Sequence, residues 1–180
     1  MIIKPDNEML SYSGRIDFDD RLAPVLVYAC SSIGMKFTGT SLKAVIANHR
    51  SCWTNELGYF IDGEQKRFTL SSDEEKKTYT LEEGLSEGTH ELLLFKRMDS
   101  CHTFTFYGFE IDDGAKVLPL PEKPKRKMEF FGDSVSCGEV SEAVEYVGKP
   151  DPEHDGEYSN SWYSYAWMTA RKLNAQIHDT

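Results

Sequence analysis

Positive charge is scarce in this 180-residue chain: 20 Lys and Arg stand against 30 Asp and Glu, for a net charge of −10. Nucleic-acid contact is driven by clustered Lys and Arg, so this balance argues against a phosphate-binding role. Long apolar runs are also missing. The longest, Ala23 to Cys30, holds eight residues and includes Pro24, far short of a membrane span. The opening residues, Met1-Ile2-Ile3-Lys4-Pro5-Asp6, lack the basic and apolar regions of a signal peptide, which sets the expectation of a cytoplasmic protein. Cysteine is limited to positions 30, 52, 101 and 137, with no CxxC pair. Histidine occurs at 49, 90, 102, 154 and 178, with no HExxH and no paired ligand spacing, so neither a metal nor another cofactor is expected. Four thiols could make two disulfides. Without an export signal they are expected to be free and mostly buried, in a reducing compartment.

What is present is ordinary globular composition, 39% hydrophobic and 28% charged, enough to bury a core in one large domain or two small ones. Charge is uneven along the chain: 13 basic against 19 acidic groups in 1–118, 4 against 1 in 119–127, and 3 against 10 in 128–180. The middle piece, Pro119-Leu120-Pro121-Glu122-Lys123-Pro124-Lys125-Arg126-Lys127, has three prolines and no apolar periodicity. Proline fixes φ and removes an amide donor, so this piece is expected to be an extended, solvated linker. Its basic cluster reads as a bridge between two acidic neighbours.

Before the linker the texture is β. Short apolar stretches at Pro24–Cys30, Leu42–Ala47, Leu57–Ile61, His90–Phe95 and Thr103–Ile111 are separated by turn signals. Asp62-Gly63 between two such stretches signals a hairpin. In Thr103-Phe104-Thr105-Phe106 the alternation predicts one buried and one wet face. Many short strands over 1–118 predict an all-β two-sheet sandwich of the jelly-roll kind.

After the linker, Met128-Glu129-Phe130-Phe131 is a short apolar run that enters Gly132-Asp133-Ser134. An acidic loop spans roughly 139–158. Trp162, Tyr165, Ala166, Thr169, Ala170 and Leu173 then recur at helical spacing, which predicts a helix with those residues packed inward. Ser159 or Asn160 fits its N-cap, and Arg171 and Lys172 suit its negative end. Strand, loop and helix in this order predict the opening of an α/β domain over 128–180. One strand and one helix cannot bury both their faces, so the domain is expected to be incomplete.

The sharpest chemical signal is Phe130-Phe131-Gly132-Asp133-Ser134-Val135-Ser136-Cys137-Gly138. A serine leaving an apolar strand at a helix start is placed to act as a nucleophile, and its own amide there lacks an intrahelical partner and can serve an oxyanion. Gly132 is read as allowing the tight turn, Asp133 as holding the turn's amides, and Gly138 as letting substrate approach the backbone. The motif is not GxSxG, because position 136 is Ser. Gly-Asp-Ser also occurs in plain turns, where Asp and Ser bond their own backbone.

The whole chain resembles carbohydrate esterase family 2. The resemblance rests on Gly14-Arg15-Ile16-Asp17, Phe37-Thr38-Gly39-Thr40-Ser41, Phe60-Ile61-Asp62-Gly63, Gly84-Leu85, Gly88-Thr89-His90-Glu91, Lys96-Arg97 and Phe106-Tyr107-Gly108-Phe109-Glu110. It continues through the proline-basic linker, Phe130-Phe131-Gly132-Asp133-Ser134, and Tyr163-Ser164-Tyr165-Ala166 with Ala170-Arg171-Lys172-Leu173. It implies an N-terminal jelly roll followed by the beginning of an SGNH (GDSL-type) hydrolase domain. It also implies that Ser134 is the nucleophile of an acetyl esterase acting on O-acetylated saccharides, without a cofactor. Such domains place further oxyanion donors and the catalytic His well downstream of the serine. Asp99-Ser100-Cys101-His102 and Asp151-Pro152-Glu153-His154 have the Asp-x-x-His form but sit in the wrong places, before the serine or in the variable loop. The missing histidine is expected beyond residue 180, on the same gene product or on a second chain that supplies the rest of the domain. The competing reading is a non-catalytic carbohydrate-binding jelly roll with a vestigial hydrolase tail. His90 is expected to make structural hydrogen bonds, and Cys137 to pack.

Overall fold

A computed structural model describes residues 1–180. In chain order the strands are β1 (Ile2–Ile3), β2 (Ser11–Ser13), β3 (Ile16–Asp17), β4 (Val25–Leu26), β5 (Ser32–Thr38), β6 (Ser41–Arg50) and β7 (Glu56–Ile61). They continue with β8 (Glu64–Thr69), β9 (Lys77–Glu83), β10 (Thr89–Lys96), β11 (His102–Ile111), β12 (Val117–Leu118) and β13 (Arg126–Phe130). Two short helices, α1 (Ser134–Cys137) and α2 (Tyr165–Lys172), precede β14 (Ala175–Asp179).

The first twelve strands form the expected sandwich. One sheet has the order β3-β4-β11-β6-β9 with β1 added on β11, and the other has β12-β5-β10-β7-β8 with β2 added on β5. Period-2 alternation fills the space between them. Ile33, Met35 and Phe37 of β5, Leu92 and Leu94 of β10, and Leu57 and Ile61 of β7 meet Leu42 and Ile46 of β6 and the aromatics of β11. In β11 the inward set runs Phe104, Phe106, then Phe109, Ile111, because a bulge between Phe106 and Gly108 shifts the register by one. Gly108 is needed there: its φ is +127°, and a Cβ would lie 2.4 Å from the Ile3 carbonyl oxygen. Thr105 is not on a wet face as its alternation predicts. It is buried, with its hydroxyl 2.9 Å from His49 Nε2. The Asp62-Gly63 hairpin forms between β7 and β8, with φ of +51° and +87°. Of the Pro24–Cys30 stretch only Val25–Leu26 pairs as a strand.

The C-terminal stretch lies against the outer face of the second sheet. β13 and β14 pair in parallel, and the chain between them carries both helices. The order strand, loop and helix calls for a second strand to begin near Gln176-Ile177-His178, and β14 forms there over five residues. β13 starts at Arg126, inside the stretch read as linker. The proline segment before it lies along the sandwich, with Lys123 Nζ on the Tyr12 carbonyl and the Pro124 carbonyl accepting from Gln176 Nε2. A second core joins the two parts: Phe95, Ala29 and Cys30 from the sandwich pack on Ala166, Trp167, Ala170 and Ile177, flanked by Phe60, Leu93 and Trp162. Gly58 makes room for it, since a Cβ there would sit 2.1 Å from the Phe95 ring.

The helix departs from its predicted phase. Ser161–Tyr163 is a 3₁₀ turn capped by the Asn160 side chain, and α2 begins only at Tyr165, where the Ser164 hydroxyl accepts from the Trp167 amide at 3.1 Å. A tighter turn ahead of the α-helix rotates the inward set to Ala166, Trp167 and Ala170. Tyr165 and Leu173, expected inside, are 52% and 44% exposed. Trp162 is half-buried between Phe60, with ring centroids 4.4 Å apart, and the Arg171 guanidinium, 3.7 Å from its centroid.

Candidate active site

β13 delivers the chain to Ser134, which opens α1 four residues after Phe130. The parallel pairing continues past the strand end: Thr180 N donates to the Phe130 carbonyl at 2.9 Å and Gly132 N to the Thr180 carbonyl at 3.0 Å. Asp133 caps the turn, its Oδ1 accepting from Val135 N at 3.1 Å. That leaves the Ser134 amide among the first-turn donors without an intrahelical partner. Ser134 itself is exposed. It lines a cavity of about 370 Å³ together with Glu139, Asp151, Tyr163, Ser164 and Tyr165.

The two glycines of the turn serve packing. Gly132 accommodates Ser136: a Cβ would lie 2.5 Å from the Ser136 hydroxyl, which donates to the Asp133 carbonyl at 2.9 Å. Gly138 ends α1 at φ +77°, and a Cβ there would lie 2.7 Å from the Asn160 carbonyl oxygen. Asn160, in the turn ahead of α2, approaches the side of Gly138 that a Cβ would fill, and Gly138 also lines the cavity with Ser134. Asn160 fastens this contact, donating its amide to the Gly138 carbonyl at 3.0 Å and its side chain to Glu142 Oε1 at 2.7 Å.

No histidine lines the cavity. His154 accepts from Gly156 N at Nδ1 (3.1 Å) and packs on Trp53 at 4.5 Å. His102 is buried between Asp99 and Cys52. His90 is structural, as expected, with Nδ1 2.6 Å from Asp62 and Nε2 2.9 Å from the Ser86 carbonyl. Burial opposes its protonation, but these two hydrogen bonds and the Asp62 charge together raise its pKa. All four cysteines are free. Cys137 is half-buried, and burial pushes its thiol up to about 11, so it packs and does not react at neutral pH. Cys30 is buried too, but Cys52 and Cys101 are exposed, against the expectation of mostly buried thiols.

Three features escaped the residue pattern. Asp179, at the end of β14 beside the serine turn, is buried and hydrogen-bonds Cys30 Sγ at 3.6 Å. Burial raises its carboxyl pKa, partly offset by hydrogen bonds from Cys30 and Ser136. Lys96 is wholly buried, donates to the Met98 and Asp99 carbonyls, and is pushed down to about 7 by burial. Tyr163 spans from the cavity to the sandwich, donating to Gln65 Oε1 at 2.9 Å. The largest cavity, about 630 Å³, lies elsewhere, along the seam between Leu93, Leu120–Pro124 and Trp162. The hydroxyls that line it belong to Ser11, Ser13 and the buried Ser32, all within strands.

These features define a class: a jelly-roll sandwich that carries on its outer face a parallel strand–helix–strand unit with a serine at the strand end. A family model described as "Carbohydrate esterase 2 N-terminal" matches residues 12–121, and the chain belongs to that family. It is similar to "Cellulase/esterase CelE" of Acetivibrio thermocellus, 34% identical over 96% of this chain and 20% of that protein. It is also similar to "Acetylxylan esterase / glucomannan deacetylase" of Cellvibrio japonicus, 27% identical over 82% of this chain and 41% of that protein. Among solved structures, a family two carbohydrate esterase from Clostridium thermocellum in complex with cellohexaose superposes with a TM-score of 0.82 at 31% identity, covering 94% of this chain and 50% of that one. The chain thus spans a fifth to a half of the length of these relatives.

Proposed function

We propose that this chain contributes the nucleophile of a serine acetyl esterase that removes O-acetyl groups from polysaccharides or oligosaccharides. The observation that carries the reading is Ser134: an exposed hydroxyl at a strand-to-helix turn, on a cavity, in a chain of the carbohydrate esterase 2 N-terminal family. Ser134 Oγ attacks the acetyl carbonyl while a histidine accepts its proton, and the Ser134 amide donates to the developing oxyanion. The same histidine protonates the departing sugar hydroxyl. Water then attacks the acetyl-enzyme, loses its proton to the histidine, and acetate leaves as Ser134 is restored. Gly132, Asp133 and Gly138 support the turn without touching the reacting atoms.

In this reading the division is a sandwich over 1–118, a connecting segment over 119–127, and the first part of an SGNH-type hydrolase domain over 128–180. The histidine comes from the rest of that domain, because none of the five in this chain lines the cavity. The same remainder would cover Phe131, Val135, Tyr165 and Met168, which are 73%, 67%, 52% and 50% exposed. The absence of a histidine from the cavity equally suits the second reading, a carbohydrate-binding jelly roll with a vestigial tail. Ser134→Ala in the native-length protein separates the two. The esterase reading expects p-nitrophenyl acetate and acetylxylan hydrolysis to fall on the order of 10³-fold or more with the fold intact. A native-length protein without such activity, or one whose activity survives the substitution, would refute it.

A further inference from the structure

The Asp99-Ser100-Cys101-His102 stretch does not serve Ser134, yet it is assembled. His102 Nδ1 lies 2.9 Å from Asp99 Oδ1, and on the other side of the ring Nε2 lies 3.6 Å from Cys52 Sγ. The order is thiol, imidazole, carboxylate, with the base buried and the thiol's residue exposed. Strand pairing builds it. Arg50 and His102 are cross-strand partners at the end of β6 and β11, and Ser51 N donates to the Cys101 carbonyl at 3.2 Å, so the 51–54 turn sits beside 99–101.

The surroundings fit an activated thiol. The Arg50 guanidinium donates to the carbonyls of Cys52 and Trp53, which places a fixed positive charge in the thiol's own turn. Trp53 stacks over His102, rings 6.1 Å apart and 10° from parallel, and covers it. The His102 hydrogen bond holds the Asp99 carboxyl below its ordinary value against the opposing effect of burial. Lys96 Nζ approaches the Asp99 carbonyl from below, and His154, with Glu139 3.9 Å from it, lies across Trp53. The Asp155 carboxylate accepts from the Thr54 hydroxyl in the same turn and opposes the Arg50 charge, so activation rests on the imidazole beside the sulfur.

We propose that Cys52 is a reactive thiol, a modification site that exchanges with small disulfides. His102 Nε2 takes the Cys52 proton while Asp99 holds the Nδ1 proton in place. The thiolate attacks one sulfur of the disulfide, a new S–S bond forms as the old one breaks, and the departing thiolate takes the proton from His102. The incoming disulfide supplies the oxidation. Cys101 is also exposed but lacks the base: its amide bonds Asp99, and no imidazole meets its sulfur. It is the built-in control.

The test treats the native-length protein with limiting iodoacetamide from about pH 5 to 10, a range that brackets ordinary thiol ionisation, and then with oxidised glutathione. Each cysteine is read by peptide mass spectrometry. Near neutral pH Cys52 is expected to react on the order of tenfold faster than Cys101, because only its sulfur has an imidazole beside it to take the proton. Glutathione is expected on Cys52. Asp99→Asn, which removes the carboxylate that orients His102, is expected to slow Cys52 towards the rate of Cys101. Equal rates for the two thiols in the unsubstituted protein, or glutathione on Cys101 and not Cys52, overturn the proposal whether or not the variant folds.

Discussion

Gly138→Ala tests the packing beneath the serine turn, because the protein contains its own control. Gly138 and Gly148 have nearly the same backbone, with φ of +77° and +75°. A Cβ at Gly138 would lie 2.7 Å from the Asn160 carbonyl oxygen, whereas a Cβ at Gly148 would meet nothing within 4 Å. Both substitutions cost the left-handed strain of an L-residue, about 1–2 kcal/mol, and both narrow the unfolded ensemble alike. Only Gly138→Ala adds overpacking against backbone, about 1–3 kcal/mol. The expected losses are therefore about 2–5 kcal/mol for Gly138→Ala and about 1–2 kcal/mol for Gly148→Ala. Urea denaturation followed by far-UV circular dichroism measures both, provided the m-values agree. Equal losses would refute the argument that Gly138 exists for the approach of Asn160. They would leave only its left-handed φ to explain the glycine.

Two further outcomes follow from the seam and from Lys96. Trp167→Ala removes a side chain that is 6% exposed and should cost about 3–5 kcal/mol. Tyr165→Ala, two residues earlier on the outward face, should stay within about 0.5 kcal/mol in the same denaturation assay on residues 1–180, where no further domain covers it. Similar losses at the two positions would contradict the helix phase described. Folded Lys96 releases its proton near pH 7 and unfolded Lys96 near 10.5, so between these values the unfolded chain holds more protons and stability rises with pH. The rise, at most about 1.4 kcal/mol per pH unit, should show between pH 7 and 9. Above that window the half-buried Cys137 thiol acts in the opposite direction, because its folded pKa of about 11 exceeds the ordinary 9.0. Lys96→Met should abolish the rise, and an unchanged slope in the variant would rule out Lys96 as its source.

The sandwich was legible in the sequence because strand burial is a local, two-residue rhythm. Phe104 and Phe106, alternating with threonine, state its buried side without any partner in view. The hairpin at Asp62-Gly63 and the turn at Gly132-Asp133-Ser134 were legible for a similar reason: each depends on the conformational habits of two or three adjacent residues. What only the tertiary structure decided is which surface each element turns inward and which distant groups meet. The unbroken run Leu92-Leu93-Leu94-Phe95 has both faces buried, Leu92 and Leu94 in the sandwich core and Leu93 with Phe95 under α2, but a continuous apolar run does not say what covers its second face. One 3₁₀ turn at Ser161–Tyr163 was enough to move Trp167 inside and Tyr165 outside, a rotation that apolar spacing cannot encode. Gly138 against Asn160, Cys30 with Asp179, and Cys52 with His102 are 22, 149 and 50 residues apart. Such contacts are fixed by sheet order and register, and no local pattern in the chain carries them.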